Sequence, residues 1–365
     1  MKKKMILFAA IGLLGLAACN ALETPAGTED GASLSITILN DEALATRASD
    51  ATELAYEKKI NNVQLFLFEG ETLFSYERID TRNMTFPYSK TWSSVKAGAY
   101  KVYAVANAAD LQHIATESEL LSAAVSLSDC GLTEEKGFVM AGSAQAAVGS
   151  GTTTDVSVKL HRFAARIRLV SLENDVPSTY AGGGTVNVKG VFLINALGRW
   201  NVGGVGSPAE WVNLGGRTAG RQNSSDRSDF IVSPAQVNPE AYRDQVYRPM
   251  TVSVARGVQW TFSDCCLYTF PNLSASDRTG TDVTSAAGAM TRLVVLAEVN
   301  GSDWWYPVTL FQDGKGPERN TTYDVRLVLR ATGSADPNQP VEHGSLQASL
   351  SVDAWSGGTQ YTEVI

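Results

Sequence analysis

Apolar and polar residues alternate at both ends of this chain, with the two-residue period of a β-strand that buries one face. In the stretch 33–39, near the amino terminus, the apolar positions are Leu34, Ile36 and Ile38. In the stretch 346–355, near the carboxyl terminus, they are Leu346, Ala348, Leu350 and Val352, and the run ends at Trp355. Two strands of matching pattern suit the same apolar groove. We therefore expect the first, the plug strand, to be removable and the second, the tail strand, to replace it in a neighbouring molecule.

The same alternation dominates the rest of the chain. Threonine, valine and aromatic residues favour β-structure, and the 44% hydrophobic content is enough for buried cores. Strands are predicted near 60–68, 72–79, 100–107, 152–160, 185–196, 250–254, 258–270, 290–300, 304–311 and 320–329, with one short helix near 117–124. The turn at 69–71 and the pair Asn300-Gly301 predict hairpins between the strands on either side of them. A length of 365 residues favours about two domains. The sequence therefore predicts an all-β protein with a few short helices.

The junction between the two domains is predicted at residues 161–170. Arg162, Arg166 and Arg168 alternate with or flank apolar residues there, which favours an amphipathic strand with a basic outer edge over an anion site. Further along, residues 198–247 contain many Gly, Ser, Asn and Arg residues with scattered tryptophans. This composition predicts a long surface excursion from the second domain.

The first 19 residues have the organisation of an export signal. Three lysines precede a short apolar run, which ends in Leu-Ala-Ala-Cys at Cys19. The run is too short to span a bilayer comfortably. The last four residues match a bacterial lipobox, in which the cysteine thiol receives a diacylglycerol. We therefore predict a membrane-tethered precursor lipidated at Cys19; the alternative is a plain secretory signal with an incidental cysteine.

A lone basic residue follows the plug strand after a polar, acidic step. This residue is Arg47, and the small Ala48 comes next. A cut between the two would release the plug strand. The alternatives are that Arg47 is a solvated linker residue, or that Lys58 and Lys59 are the cleavage site, which is less attractive because they lie close to a predicted strand.

The sequence contains no constellation that indicates catalysis. Its three histidines, at positions 113, 161 and 343, stand in different contexts, and no nucleophile-elbow, phosphate-loop or zinc-protease motif is present. Cys130, Cys265 and Cys266 lack metal-ligand spacing, and three cysteines, an odd number, cannot form a complete disulfide framework. We therefore expect neither an enzyme nor a metal or cofactor site.

The residues bear on two binding functions. The net charge of −8, without a basic stripe interleaved with aromatic residues, argues against nucleic acid as a partner. The trio Trp304, Trp305 and Tyr306 is able to stack on a sugar, although such a trio is more often divided between core and surface. Glycan binding remains an alternative function.

Several local motifs resemble those of the fimbrillins, which build type V pili. These are the lipobox at 16–19, Thr46-Arg47-Ala48 at the position where fimbrillin precursors are cut, and the strand entry Arg319-Asn320-Thr321-Thr322-Tyr323. The tail strand ending at Trp355, the segment at the predicted junction and the stretch 267–272 are similar too. The motifs occur in the family's order across nearly the whole chain.

The resemblance implies two tandem transthyretin-like Greek-key β-sandwich domains. The implied organisation is a signal peptide at 1–19, a propeptide at 20–47, an N-terminal domain at 48–160 and a C-terminal domain at 161–365, with the donor strand at 346–365. The precursor would reach the outer membrane as a lipoprotein and be cut after Arg47 by an arginine-specific protease. Copies of the chain would then polymerise head to tail into an extracellular adhesive fimbria, together with accessory fimbrial subunits. The alternatives are an anchor or tip subunit, or a non-polymerising surface lipoprotein that binds glycan.

Overall fold

The computed structural model describes residues 31–40, 54–80, 86–181, 184–204, 211–213, 239–274, 290–311, 314–341, 344, 346–355 and 361–364. The predicted lipidation site at Cys19 and the predicted cleavage site at Arg47 and Ala48 lie outside these ranges. Among the described residues, no helix has both the length and the apolar character needed to cross a bilayer.

The described residues in the first half of the chain form nine strands. They are β1 (Ala32–Leu39), β2 (Asn62–Glu69), β3 (Thr72–Asp80), β4 (Tyr88–Val95), β5 (Gly98–Ala106), β6 (Ala124–Ser126), β7 (Met140–Val148), β8 (Thr153–Lys159) and β9 (His161–Arg162). A three-stranded sheet has the order β4-β1-β8, and a five-stranded sheet has the order β3-β2-β5-β7-β9. Both sheets contribute side chains to one hydrophobic core.

The second half forms the remaining strands. They are β10 (Ala165–Asn174), β11 (Thr185–Ile194), β12 (Ala196–Leu197), β13 (Arg199–Asn201), β14 (Trp211–Val212), β15 (Tyr247–Ala255), β16 (Gln259–Thr261), β17 (Cys266–Thr269), β18 (Arg292–Val299), β19 (Ser302–Thr309), β20 (Thr321–Leu329), β21 (Leu346–Ala354) and β22 (Tyr361–Val364). One sheet has the order β16-β10-β20-β21-β22, with β17 also on β10, and a second has the order β15-β11-β18-β19.

The helices are short. They are α1 (Ala55–Lys58), α2 (Glu117–Ser122), α3 (Ser178–Ala181) and α4 (Arg243–Val246), with 3-10 turns at Leu127–Asp129 and Pro239–Tyr242. The predicted helix near 117–124 is therefore present as α2. Its start is set by a capping box, because the Thr116 hydroxyl accepts from the Glu119 amide and the Glu119 carboxylate accepts from the Thr116 amide. The all-β prediction is confirmed.

Local turn chemistry sets two of the predicted hairpins. The β2–β3 hairpin turns at Gly70, which has a φ of 61°. The β18–β19 hairpin turns at Asn300 and Gly301, with φ values of 53° and 74°. Asparagine followed by glycine is the pair best suited to two successive positive φ angles. These registers are therefore determined by residues adjacent in sequence.

The expectation of a surface excursion at 198–247 is wrong for its described residues. Trp200, Val212, Tyr242 and Val246 are all buried. In addition, β13 pairs with β6, so this region joins the second half of the chain to the first. Its glycines and polar residues surround apolar anchors, and those anchors enter the core.

The predicted basic outer edge of the 161–170 strand is also wrong. Arg162 and Arg166 are completely buried, and Arg168 is half-buried in a bidentate pair with Asp324. Moreover, β9 pairs with β7 of the first half, whereas β10 belongs to the second half. The arginines therefore lie where the two halves of the chain meet.

Candidate functional site: the places of the plug and tail strands

The plug strand forms β1, which is the central strand of its sheet. It pairs antiparallel with β4, from Ala32 opposite Val95 to Ile38 opposite Tyr88. On its other side it pairs parallel with β8, from Ser33 opposite Thr153 to Leu39 opposite Lys159. The backbone hydrogen bonds on both edges are therefore used within the chain.

The predicted apolar face of the plug strand is buried throughout. Leu34, Ile36 and Ile38 each have 0% exposure, as does Ala32. Burying three large aliphatic side chains contributes roughly 5–9 kcal/mol gross, at about 1.5–3 kcal/mol each. The alternate residues, which include Ser33, Ser35 and Thr37, are only partly buried on the opposite face.

Removing this strand would leave a gap that the sheet does not close by itself. The flanking strands, β4 and β8, would be separated by two strand spacings, or about 10 Å, which is too far for direct hydrogen bonds. Each would present an unpaired edge above an apolar trench. Unpaired edges of this kind favour pairing with an added strand.

The tail strand already has a place in its own sheet. It forms β21, which pairs with β20 over nine positions from Leu346 opposite Leu329 to Ala354 opposite Thr321. Its outer edge is covered by β22 over four positions. Ala348 and Leu350 are buried, and Leu346 and Val352 are half-buried. The tail strand is therefore part of its own sheet and is not a free end. Donating it to another copy of the chain requires its separation from β20.

Trp355 holds the end of the tail strand in an aromatic and cationic pocket. The guanidinium carbons of Arg162 and Arg166 lie 4.9 and 5.3 Å from its ring centroid. Tyr268 stacks on the ring at 5.8 Å, and Phe138 meets its edge at 5.5 Å. Its backbone amide donates to the Asn320 carbonyl at 2.9 Å. Cation–π contacts are strongest when both groups are desolvated, as here.

Glu57 supplies the negative charge for this pocket. Its carboxylate accepts from Arg166 Nη1 at 2.8 Å and from the Tyr268 hydroxyl at 2.7 Å, and its backbone carbonyl accepts from Arg162 Nε at 2.9 Å. Burial, followed by the nearby Glu57 charge, raises the pKa of Tyr268 well above its ordinary value. The phenol therefore stays protonated and continues to donate to Glu57. We call Glu57, Arg162, Arg166, Tyr268 and Trp355 the junction cluster.

The junction cluster connects distant parts of the chain. Glu57 belongs to α1, Arg162 to β9, Arg166 to β10 and Tyr268 to β17. Glu57 lies in no sequence motif, and Tyr268 lies in the fimbrillin-like stretch 267–272. One feature of the sequence pointed to this site. Arg166 occupies the same side of the alternating pattern as Arg162 and Arg168, next to apolar residues. Alternation alone does not distinguish a solvent face from a face covered by another part of the protein.

The motif that begins at Arg319 supports the same junction. The Arg319 guanidinium lies 4.5 Å from the Phe163 ring centroid and donates to the His161 carbonyl at 2.9 Å. Burial lowers the pKa of Arg319 from its ordinary value. The Tyr323 hydroxyl accepts from the Glu318 amide at 3.0 Å. These residues fix the entry to β20, the strand on which the tail strand lies.

Of the cysteines, only Cys266 is near the charges of the junction cluster, which include Glu57 and Arg166. All three described cysteines have free thiols and are buried, and Cys266 lies in β17 beside Tyr268. Trp304 and Trp305 are half-buried in β19, whereas Tyr306 is fully buried and donates to the Ala331 carbonyl. The described ranges hold no group of three or more His, Cys, Asp or Glu side chains arranged for a metal ion.

The fold defines a β-sandwich protein in which the first strand of the described residues is central to its sheet. Residues 32–175 match the family model of the major fimbrial subunit protein FimA, and this match starts at the first residue of the plug strand. No curated protein matches the chain in sequence.

Solved structures share the fold across most of the chain. A candidate cell adhesion protein from Parabacteroides distasonis has 18% identity and a TM-score of 0.59, with 91% of this chain and 99% of that chain covered. A candidate cell adhesion protein from Bacteroides eggerthii has 20% identity and a TM-score of 0.57, with 89% and 96% covered. The fimbrilin FimA of Porphyromonas gingivalis W83 has 12% identity and a TM-score of 0.57, with 90% and 99% covered.

The match of residues 32–175 to the FimA fimbrial subunit family, together with these structural neighbours, confirms the resemblance to fimbrillins predicted from the sequence motifs.

Proposed function

We propose that this chain is the precursor of a polymerising fimbrial subunit. A cut between Arg47 and Ala48 releases the plug strand, and the tail strand of another copy takes its place between β4 and β8. The observation that carries the proposal is the position of β1, the first strand among the described residues, which is central to its sheet and fully buried on one face.

The plug strand controls assembly because it is part of the same chain as its groove. An intramolecular strand has a high effective concentration and outcompetes a strand from another molecule. Once the connection is cut, that advantage is lost. Polymerisation should therefore wait for the protease.

The positions of donor and groove favour a filament over a closed oligomer. The tail strand lies in a sheet of the second half of the chain, whereas the groove lies in a sheet of the first half. Contacts between two different surfaces join copies head to tail and do not close unless the rotation happens to form a ring. The product is a fibre on the cell surface, with accessory fimbrial subunits as further partners and adhesion or biofilm formation as its role.

The same proposal places the precursor at the outer membrane. Cys19 receives the lipid that tethers it there before the cut, and the cut separates the fibre from that anchor. The Cys19→Ser variant should therefore fail to incorporate labelled palmitate and should leave the membrane fraction, and retention of both properties would contradict this part.

Purified precursor treated with an arginine-specific protease tests the main proposal. We expect a ladder of species that resists mild denaturation, and no ladder from the Arg47→Ala variant. Deletion of 346–365 is a poor control, because Leu350 and Trp355 belong to the folded core. A synthetic peptide of residues 346–365 should instead shorten the ladder by filling grooves, whereas a scrambled peptide should not.

Two outcomes would favour other functions. If the plug strand is cut and no ladder forms at any concentration, the stalk role fails. If the folded precursor resists the cut and keeps its plug strand, the anchor or tip role is favoured.

A further inference from the structure

The plug strand and the tail strand share more than alternation. Residues 32–35 and residues 348–351 are both Ala-Ser-Leu-Ser. In the next positions Ile36 corresponds to Val352 and Thr37 to Asp353. An identical run of four residues at the two ends of the chain selects one alignment of the strands.

We propose that this alignment is the register of the joint between two copies. This inference rests on the proposed function and adds to it the position of each tail residue in the groove. Ala348, Leu350 and Val352 of one copy take the places of Ala32, Leu34 and Ile36 in the next. The incoming strand runs parallel to β8 and antiparallel to β4, as the plug strand does.

Side-chain size in the groove favours this register over its neighbours. A slip of one residue would turn the apolar face outward. A slip of two places Leu346 or Leu350 at the position of Ala32, which has 0% exposure, so the three additional carbons would overpack the groove. A slip of four places Ala348 at the position of Ile36 and leaves a cavity in the middle of the trench. In the proposed register the small residue Ala354 takes the place of Ile38, so the unfilled space lies near the end of the trench.

The outer face of the strand agrees with the same alignment. Serine replaces serine at positions 33 and 35. Asp353 takes the place of Thr37, whose hydroxyl oxygen lies 3.2 Å from the Ser89 hydroxyl oxygen. Ser89 is then placed to donate a hydrogen bond to the Asp353 carboxylate. In its own sheet Asp353 is only 7% exposed, whereas the position of Thr37 is more open to water. The transfer therefore reduces the desolvation of a carboxylate.

Cysteine pairs with Ser89→Cys measure the register directly. The partner substitution is Asp353→Cys for the proposed register, Ser351→Cys for a slip of two and Ser349→Cys for a slip of four. Each full-length precursor is cut with the arginine-specific protease, oxidised and run under denaturing, non-reducing conditions. The thiols of Cys130, Cys265 and Cys266 are buried and should cross-link little. The parent protein, cut and oxidised in the same way, measures their background of covalent cross-links.

We expect a covalent ladder from the Asp353→Cys pair, collapsing on reduction, and at least tenfold less from the other two pairs. A covalent ladder from Ser351→Cys or Ser349→Cys in its place overturns the register while leaving donor-strand exchange intact. The register is also overturned if the cut parent protein forms a ladder but none of the three cysteine pairs gives a covalent cross-link. Absence of any ladder in the cut parent defeats the proposed function itself.

Discussion

The Arg166 guanidinium donates to the Glu57 carboxylate at 2.8 Å, and both side chains are completely buried. Glu57 precedes the first strand of the five-stranded sheet, and Arg166 lies on the first strand of the six-stranded sheet. Neither charge reaches water, so each depends on the other half of the chain. The two halves are therefore joined by an electrostatic contact as well as by a continuous hydrophobic core.

Glu57→Gln should strongly destabilise the precursor. Removing one partner of a buried ion pair leaves the other charge uncompensated and costs about 3–5 kcal/mol. Urea denaturation, followed by intrinsic fluorescence, measures the loss. The matched control is Glu318→Gln, which breaks the exposed Lys315–Glu318 pair and should cost at most about 1 kcal/mol. Equal losses in the two variants would show that the buried pair does not join the halves.

Trp355→Ala should remove the anchor of the tail strand. Loss of a fully packed tryptophan costs about 3–5 kcal/mol, because the cavity between the arginines and Tyr268 is not refilled. Trp260→Ala is the control, since Trp260 is 44% exposed on β16 and its loss should change stability by about 0.5 kcal/mol or less. Thermal unfolding of the uncut precursor compares them. A small effect at Trp355 would mean that the tail strand is held by its backbone pairing alone.

Ile36→Asp and Thr37→Asp distinguish the two faces of the plug strand. A carboxylate at position 36 enters an apolar trench and should cost at least about 3 kcal/mol, whereas position 37 faces the outer side. Thermal unfolding of the uncut precursor should show this difference. After the arginine-specific cut the two variants should have the same midpoint, because the altered strand has left. A difference that survives the cut would show that the strand stays in its groove.

The three buried thiols should be almost unreactive in the folded protein. Burial raises the pKa of Cys130 and Cys265 to about 12 and that of Cys266 to about 11, from an ordinary value of 9.0. Very little thiolate is therefore present at pH 8. Iodoacetamide labelling read by mass spectrometry should modify all three only after denaturation. Rapid labelling of the native protein at any of them would contradict the burial.

The same thiols should make the protein less stable in alkali. Their protonated form is favoured in the folded state, so the folded chain binds more protons than the unfolded chain between about pH 9 and 12. The free energy of unfolding should then fall as the pH rises through that range, as urea titrations at several pH values will show. Replacing Cys130 and Cys265 by alanine should flatten this dependence.

Local pattern was sufficient for much of the fold. The alternation of Leu34, Ile36 and Ile38 predicted a half-buried strand, and all three side chains are buried. Asn300 and Gly301 predicted a hairpin, which is present. In each case the information lies within a few neighbouring residues, because strand period and turn geometry are local properties of the backbone.

The amino-acid sequence by itself determined many of the strands, the apolar face of the plug strand, and that the two chain ends carry matching strands. It did not predict β4 or β7. Only the tertiary structure decided that the plug strand lies between β4 and β8, that the tail strand is already paired with β20, and that Arg162 and Arg166 point into a junction. The physical reason is that alternation specifies a face but not a partner. A strand's neighbours are chosen by contacts between segments far apart in the chain, and the buried charge of Arg166 is stabilised by a carboxylate more than a hundred residues away.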